Sequence, residues 1–124
     1  MADHNDLGKL GEELAVEFLE KNGYSILETN WTFQKAEVDI LAQQDSTLAV
    51  IEVKTRTTSH FGDPQDFVTP KKIQLLVKAV SAFVEQESLD VEVRFDIIAI
   101  TLPKPTNPHE KPSLEHLENA FYHF

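Results

Sequence analysis

Two short segments decide the fold of this chain: Glu37-Val38-Asp39-Ile40-Leu41 and Val50-Ile51-Glu52-Val53-Lys54. Each segment mixes β-branched residues with charged ones at alternating positions, a pattern typical of β-strands. Asp39, Glu52 and Lys54 therefore stand where the strand pattern would favour apolar side chains. Because charged groups are rarely buried without a partner, these three residues are candidates for a functional site.

The two segments are predicted to pair as a hairpin. If the turn consists of Asp45-Ser46 alone, Asp39 lies opposite Glu52 with Cβ atoms about 4.5–5.5 Å apart. Lys54 then projects from the same face, and a change of register by one residue would undo this arrangement. The opposite face is wholly apolar and is predicted to be core; it carries Val38, Ile40, Ala42, Ala49, Ile51 and Val53.

Two carboxylates directly opposite each other destabilise a sheet unless something compensates for their charge. Mg²⁺ is one candidate, since it takes oxygen ligands and is often held by one or two carboxylates. An ordinary ion pair with Lys54 is the other, and the charge pattern alone leaves both open. Two acids and a lysine that hold a cation beside an activated water would suit phosphodiester cleavage.

The composition indicates one domain without cysteine. The 124 residues predict a single domain over 1–124 that buries roughly two-thirds of its unfolded surface. Absence of Cys excludes disulfides, thiol catalysis and cysteine-based zinc sites. No apolar run approaches the ~18 residues of a membrane span, and the N-terminus lacks a signal-peptide core. We therefore expect a soluble, cytoplasmic protein with no membrane partner.

The net charge of −10 argues against nucleic-acid binding, because proteins that bind polyanions are usually basic. Residues 53–84 are an exception, with five basic residues against two acidic ones and a net charge of +3. Such a basic strip can contact phosphates, although its non-specific affinity should be weak and sensitive to salt.

Apolar spacing predicts helices at about 5–22 and 70–87, the second with Thr69 as its N-cap and Pro70 at its first position. Four strands and a final short element are predicted at about 24–29, 37–43, 47–55, 91–101 and 114–121. The order α-β-β-β-α-β-(β) predicts an α/β fold in which helices flank a mixed central sheet.

The first helix carries three unusual residues on or beside its apolar side. Gly8 and Gly11 destabilise a helix by about 1 kcal/mol each relative to alanine, so they predict that something packs very close. The neighbour could be the sheet or a nucleic-acid backbone. Glu12 lies on the border of the apolar stripe, where it could point at the sheet.

Several segments of the chain carry a resemblance to a known family. They are Gly8-Lys9-Leu10-Gly11-Glu12, Gly23-Tyr24-Ser25-Ile26-Leu27-Glu28-Thr29-Asn30, Glu37-Val38-Asp39-Ile40-Leu41-Ala42, Ile51-Glu52-Val53-Lys54-Thr55-Arg56, Arg94-Phe95-Asp96 and His116-Leu117-Glu118-Asn119-Ala120-Phe121. Together they resemble the YraN-like family of uncharacterised bacterial proteins, in order and over nearly the whole chain. One departure is Ala36, where the family usually has glycine.

The spacing from Asp39 to Glu52-Val53-Lys54 also resembles the PD-(D/E)xK signature of restriction-endonuclease-like nucleases, and the YraN-like family is similar to Holliday-junction resolvases. These resemblances imply a restriction-endonuclease-like fold. They imply that Asp39, Glu52 and the Val53 carbonyl ligate Mg²⁺ or Mn²⁺, and that Lys54 orients the attacking water. Glu12 would bind a second ion or a water on the first, with capping or an ion pair as the structural alternative.

Two functions follow as hypotheses. The first is a metal-dependent endonuclease that acts on branched or single-stranded structures, with DNA favoured over RNA as the substrate and Arg56, Lys71 and Lys72 on the phosphate backbone. A homodimer would double that basic surface. The second is a non-catalytic nucleic-acid-binding or protein-interaction module that keeps the nuclease fold; the acidic net charge favours it.

Other polar residues are predicted to be structural. His116 and Asn119 should belong to a short strand that packs on the sheet, and Asp96 should bond locally along its own strand. His60 lies on the polar loop after Lys54, where a histidine is usually solvated.

Overall fold

A computed structural model describes residues 4–57, 69–104, 106 and 109–120 of the chain. Its elements, in chain order, are α1 (His4–Lys21), β1 (Ser25–Phe33), β2 (Ala36–Gln44), β3 (Thr47–Arg56), α2 (Pro70–Gln86), β4 (Glu92–Thr101) and β5 (Ser113–Leu117). The predicted order is confirmed, and its final element is a strand. Neither helix in these ranges is long and apolar enough to cross a membrane. The predicted loop position of His60 lies outside the described residues.

The five strands form one sheet in the order β1-β2-β3-β4-β5. β3 and β4 are parallel, whereas the other neighbouring pairs are antiparallel. Parallel neighbours cannot be joined by a tight turn, so the chain must cross from one end of the sheet to the other. α2 lies in that crossover, which brings its first turn to the end of the sheet where β3 finishes. The predicted mixed sheet is therefore confirmed.

The register of the hairpin is the predicted one. Ile40 pairs with Ile51 and Gln44 with Thr47, which leaves Asp45-Ser46 as a two-residue turn. Asp45 has a φ of 53°, a left-handed conformation that aspartate tolerates and tight hairpin turns require. The paired residues end at Ile40 and Ile51, and Asp39 and Glu52 lie directly beyond that last pair.

Helices cover both faces of the sheet. The buried residues around α1 are Ala15, Leu19, Tyr24, Ile40, Ala42, Ala49, Ile51, Ile98, Ile100 and Leu102. Those around α2 are Val38, Leu41, Leu48, Val50, Leu76, Val80, Phe83, Ile97 and Ala120. The charged residues share one face of the hairpin, as predicted, but α2 also packs on Leu41, Leu48 and Val50 of that face. The charges occupy only its end.

The first strand is longer than predicted. The predicted strand ends at Thr29, whereas β1 continues to Phe33. Asn30 adopts a left-handed φ of 50°, but pairing with β2 resumes after it, with Trp31 opposite Val38. The extension to Phe33 places an aromatic pair at the edge of the sheet, since the Trp31 and Phe33 rings are stacked 6.0 Å apart.

The placement of Val38 on the same face as Ile40 is also wrong. Val38 belongs to the α2 cluster and Ile40 to the α1 cluster, although only one residue separates them. The partner strand explains the contact: Trp31, opposite Val38, packs edge-on against Phe83 of α2 with ring centroids 5.3 Å apart. The strict alternation of faces therefore breaks at Asp39.

The start of α2 follows the predicted capping chemistry. Thr69 Oγ1 accepts a hydrogen bond from the Lys72 backbone N–H at 3.2 Å, and Pro70 occupies the first turn, where its missing N–H has no consequence. The cap fixes the backbone of residues 70–72 and hence the point from which the Lys72 side chain leaves the helix.

The close contact predicted for α1 occurs at Gly11 and not at Gly8. A Cβ on Gly11 would overlap Thr55 Oγ1 and lie 2.9 Å from the Thr55 Cβ, whereas a Cβ on Gly8 would meet no described atom within 4 Å. The sheet is thus the close neighbour in the described structure. Gly11 allows α1 to lie directly against β3, one residue from Lys54.

Replacing Gly11 with alanine is expected to destabilise the protein by about 1–3 kcal/mol, the usual effect of overpacking a tight contact. Rotating Thr55 would not relieve the clash, because its Cβ as well as its hydroxyl lies too close. Gly8→Ala is the matched control and should stabilise by up to about 1 kcal/mol through helix propensity alone. Urea unfolding of both variants measures the difference; equal effects would contradict the packing argument.

A buried polar cluster ties β5 to the rest of the sheet. Asp96 is 0% exposed and its carboxylate accepts hydrogen bonds from Arg94 Nε at 2.9 Å and the Asn119 backbone N–H at 2.9 Å. His116 Nε2 lies 2.8 Å from Asp96 Oδ2, and Arg94 also donates to the Tyr24 hydroxyl at 2.6 Å. The prediction that His116 packs structurally on the sheet is confirmed. The prediction for Asp96 was incomplete, because its contacts also reach across to β5 and the turn after it.

Candidate functional site

An open cleft of about 470 Å³ lies at one end of the sheet, between the ends of β2 and β3 and the start of α2. The residues that line it are Lys35, Ala36, Glu37, Asp39, Glu52, Val53, Lys54, Lys72, Leu75 and Leu76. Both acids and the lysine singled out in the sequence are among them. The structure therefore brings the predicted core of the site together.

Glu52 is the most buried charged group in the cleft, with a side chain that is 5% exposed. Burial, reinforced by the nearby charge of Asp39, raises the pKa of its carboxyl to about 7. Its Oε2 lies 3.3 Å from Lys72 Nζ. Its Oε1 is buried without a hydrogen-bond partner in the described structure. A buried oxygen left unsatisfied is destabilising, so this atom can accept a cation or a donor.

Asp39 contacts the backbone of the same strand that carries Glu52. Its Oδ2 accepts a hydrogen bond from the Val53 backbone N–H at 2.8 Å. The N–H and C=O of one residue in an antiparallel strand point towards the same neighbour. The Val53 carbonyl therefore faces the Asp39 side of β3, where a third oxygen is available beside the two carboxylates.

Lys54 is half-buried on the cleft wall. Burial and then the positive charge of Lys72 lower the pKa of its ammonium, while the carboxylates of Glu52 and Asp39 oppose that shift. Two lysines and two acids thus interact within one cleft. A lysine held in this way is a better proton donor than a solvated one.

Glu12 approaches the site from α1 and is held by a residue that the sequence did not single out. Its Oε2 accepts a hydrogen bond from Asn30 Nδ2 at 3.2 Å. Burial raises the pKa of the Glu12 carboxyl, the Asn30 hydrogen bond opposes this, and the charges of Asp39 and Glu37 raise it further. Glu12 therefore interacts electrostatically with Asp39 and Glu37, although it is not one of the residues that line the cleft.

The three basic residues predicted to bind nucleic acid occupy different positions. Lys71 is exposed on α2. Arg56 is half-buried at the end of β3, where its Nη1 donates to the Thr55 carbonyl at 2.9 Å. Lys72 points into the cleft and contacts Glu52. No sequence signal placed Lys72 there, because the crossover separates it from β3 by a stretch with no periodic pattern.

The donors in the cleft suit a small, hard divalent cation. Across the described ranges, no three side chains of the His, Cys, Asp and Glu types converge on one point. The available set is two carboxylates with a backbone carbonyl. Mg²⁺ and Mn²⁺ accept oxygen ligands of this kind, and Mg²⁺ usually keeps several waters and needs only one or two carboxylates. Glu52 Oε1 is buried with no hydrogen-bond partner among the described residues, and it could ligate such an ion.

Because the pKa of Glu52 is raised in the folded protein, the metal-free protein should lose stability as pH rises from about 4.5 to about 7. In that window the folded state binds more protons than the unfolded state, so the slope of unfolding free energy against pH is negative. Glu52→Gln cannot titrate and should remove this component. Urea unfolding of both proteins in chelator between pH 5 and pH 8 measures it; parallel curves would contradict the assignment.

The fold and the cleft together define an α/β domain with a carboxylate pair and two lysines at one end of its sheet. The chain belongs to the family described as Uncharacterised protein family UPF0102, whose profile matches residues 11–100. It is 61% identical over 124 residues to a UPF0102 protein of Flavobacterium psychrophilum and covers 100% of both chains. It is 47% identical to a UPF0102 protein of Phocaeicola vulgatus, covering 98% of this chain and 97% of the relative. The predicted resemblance to the YraN-like family of uncharacterised bacterial proteins is therefore confirmed.

Proposed function

We propose that this protein is a metal-dependent endonuclease that hydrolyses phosphodiester bonds in DNA, at branched or single-stranded structures. The observation that carries the proposal is the buried Glu52 carboxylate, which has Asp39 beside it and one oxygen without a hydrogen-bond partner in the part of the chain that the structure describes. Keeping an acid buried next to another acid is unfavourable for folding. A site with this arrangement is well suited to bind a divalent cation.

We assign each of these residues a separate role in such a reaction. Asp39, Glu52 and the Val53 carbonyl would hold Mg²⁺ or Mn²⁺, which would supply positive charge to the phosphate and lower the pKa of a nearby water. Lys54 would orient the attacking water and donate to the developing negative charge on the phosphate oxygens. Glu12, placed by Asn30, would accept a proton or hold a water at the rim.

Because the protein is acidic overall, a nucleic-acid substrate would have to bind through a small basic surface. Lys72 lines the cleft, and we propose that Arg56, Lys71 and Lys72 contact the phosphate backbone. Two copies of the chain in a homodimer would double this surface and suit a two-fold symmetric junction. We propose DNA over RNA on the resemblance to resolvases, and expect cleavage to be favoured at low salt.

The direct test is cleavage of a panel of DNA and RNA structures at low salt with Mg²⁺ or Mn²⁺, using the wild type and Glu52→Ala. Duplexes, single strands, flaps and four-way junctions should be included. Metal-dependent products from the wild type that disappear in the variant would support the proposal. Equal residual cleavage by both proteins would indicate a contaminating nuclease and would contradict a catalytic role for Glu52.

The alternative is a non-catalytic module that binds nucleic acid or protein, and one observation favours it. Lys72 already neutralises Glu52 Oε2 at 3.3 Å, so the acid does not depend on a metal for all of its compensation. Thermal unfolding with millimolar Mn²⁺ separates the two functions, because a ligand of the folded state raises the melting temperature. No shift, or the same shift in Asp39→Asn, would favour the module.

A further inference from the structure

Lys72 breaks a local rule of helix stability. It lies in the first turn of α2 next to Lys71, and that turn has no acidic residue. The amino end of a helix carries a partial positive charge, so acidic side chains stabilise it and lysines do not. A residue that is locally unfavourable usually has a compensating contact elsewhere. For Lys72 that contact is the buried carboxylate of Glu52.

The geometry of this pair is asymmetric. The Glu52 side chain is 5% exposed and fixed in β3, whereas the Lys72 side chain is 36% exposed and leaves a capped helix on a flexible stem. If the pair separates, the more exposed lysine has more room to move than the buried glutamate. The Lys72 ammonium can therefore leave Glu52 without any change in the backbone.

A divalent cation on Glu52 would force that separation. An ammonium and a doubly charged ion repel each other strongly at contact distance in a partly buried site. They would compete for the same carboxylate. Lys72 would remain tethered at the cleft wall after it is displaced, close to where the phosphate of a substrate would lie.

We propose that Lys72 is a displaceable counter-ion: its ammonium holds Glu52 until a divalent cation takes that carboxylate, and it then binds the substrate phosphate. Of these two steps, only the binding of the substrate phosphate by Lys72 rests on the proposed function. The exchange of one cation for another on Glu52 depends on the metal site alone. Lys72 would thus be a positioning residue for the metal-free site and a binding residue in the loaded one.

The test compares the wild type with Lys72→Met, which keeps the apolar stem and removes the charge. Mn²⁺ binding is measured by calorimetry at pH 8, where protons compete little for Glu52. The variant should bind Mn²⁺ about tenfold more tightly, because a competing unit charge has gone. Lys78→Met, an exposed position two turns later on α2, removes the same charge from the protein and should leave the affinity unchanged.

A merely structural role for Lys72 would not tighten metal binding, so affinity equal to or weaker than wild type would overturn the proposal. Lys72→Gln serves as a second variant should the methionine protein fold poorly. At saturating Mn²⁺, DNA cleavage by Lys72→Met should be slower by about tenfold or more, as expected when a phosphate contact is lost; an unchanged rate would overturn the phosphate step.

The outcomes also separate this inference from the proposed function. Tighter Mn²⁺ binding by Lys72→Met, with no DNA cleavage by any protein, would support the exchange and count against the endonuclease. Absence of Mn²⁺ binding in the wild type and both Lys72 variants would overturn the exchange together with the metal site.

Discussion

Replacing Asp96 with alanine is expected to lower the free energy of unfolding by about 3–5 kcal/mol, the usual effect of removing one partner from a buried ion pair. Asp96 is fully buried and accepts from Arg94, and His116 Nε2 and the Asn119 N–H also contact its carboxylate. Although burial raises the pKa of Asp96, its hydrogen bonds with His116, Arg94 and Asn119 hold it below its ordinary value. The variant would leave these groups without their shared acceptor.

The melting temperature of Asp96→Ala should fall by roughly 10–20 °C. Glu118→Ala is the matched control, because Glu118 contacts the same arginine at 3.5 Å but is 59% exposed. Exposed pairs of this kind contribute little to stability, so this variant should unfold close to the wild type. Similar losses in both variants would show that Arg94, not the buried carboxylate, is what stabilises the cluster.

The hairpin could be predicted because the residues that determine its pairing are close together in the sequence. A two-residue turn fixes the register of the strands that flank it, and alternation of apolar residues fixes their direction. The proximity of Asp39 and Glu52 could therefore be predicted from the sequence alone. The start of α2 was equally local, since Thr69 and Pro70 provide a cap and a first turn without help from distant residues.

The contacts that could not be predicted join residues that are distant in the chain. Lys72 reaches Glu52 only because β3 and β4 are parallel, which sends α2 back over the end of the sheet. Asp96 reaches His116 only because β5 pairs with β4 at the far edge. Neither contact can be predicted from a short sequence pattern. The same crossover explains why the charged face of the hairpin proved to be mostly core.

Replacing Lys54 with methionine is expected to slow Mn²⁺-dependent DNA cleavage by about 10²–10⁴-fold, the usual effect of removing a general acid or a charge-stabilising donor. Metal binding should survive, because Asp39, Glu52 and the Val53 carbonyl are untouched. Cleavage rates at saturating Mn²⁺, together with Mn²⁺ affinity from calorimetry, measure the two properties separately. A variant that still cuts at the wild-type rate would remove Lys54 from the reaction.

Lys54→Arg shows which of the two roles the lysine has. Burial and the charge of Lys72 lower the pKa of Lys54, which makes its proton easier to give up, whereas an arginine keeps its proton under all ordinary conditions. If Lys54 only stabilises negative charge on the phosphate, arginine should restore much of the rate lost in methionine. If Lys54 instead gives its proton to the leaving oxygen as a general acid, arginine should be as slow as methionine. In either case Lys54 must be protonated, so Lys72→Met, which removes a charge that lowers the Lys54 pKa, should shift the alkaline limb of the pH–rate profile to higher pH.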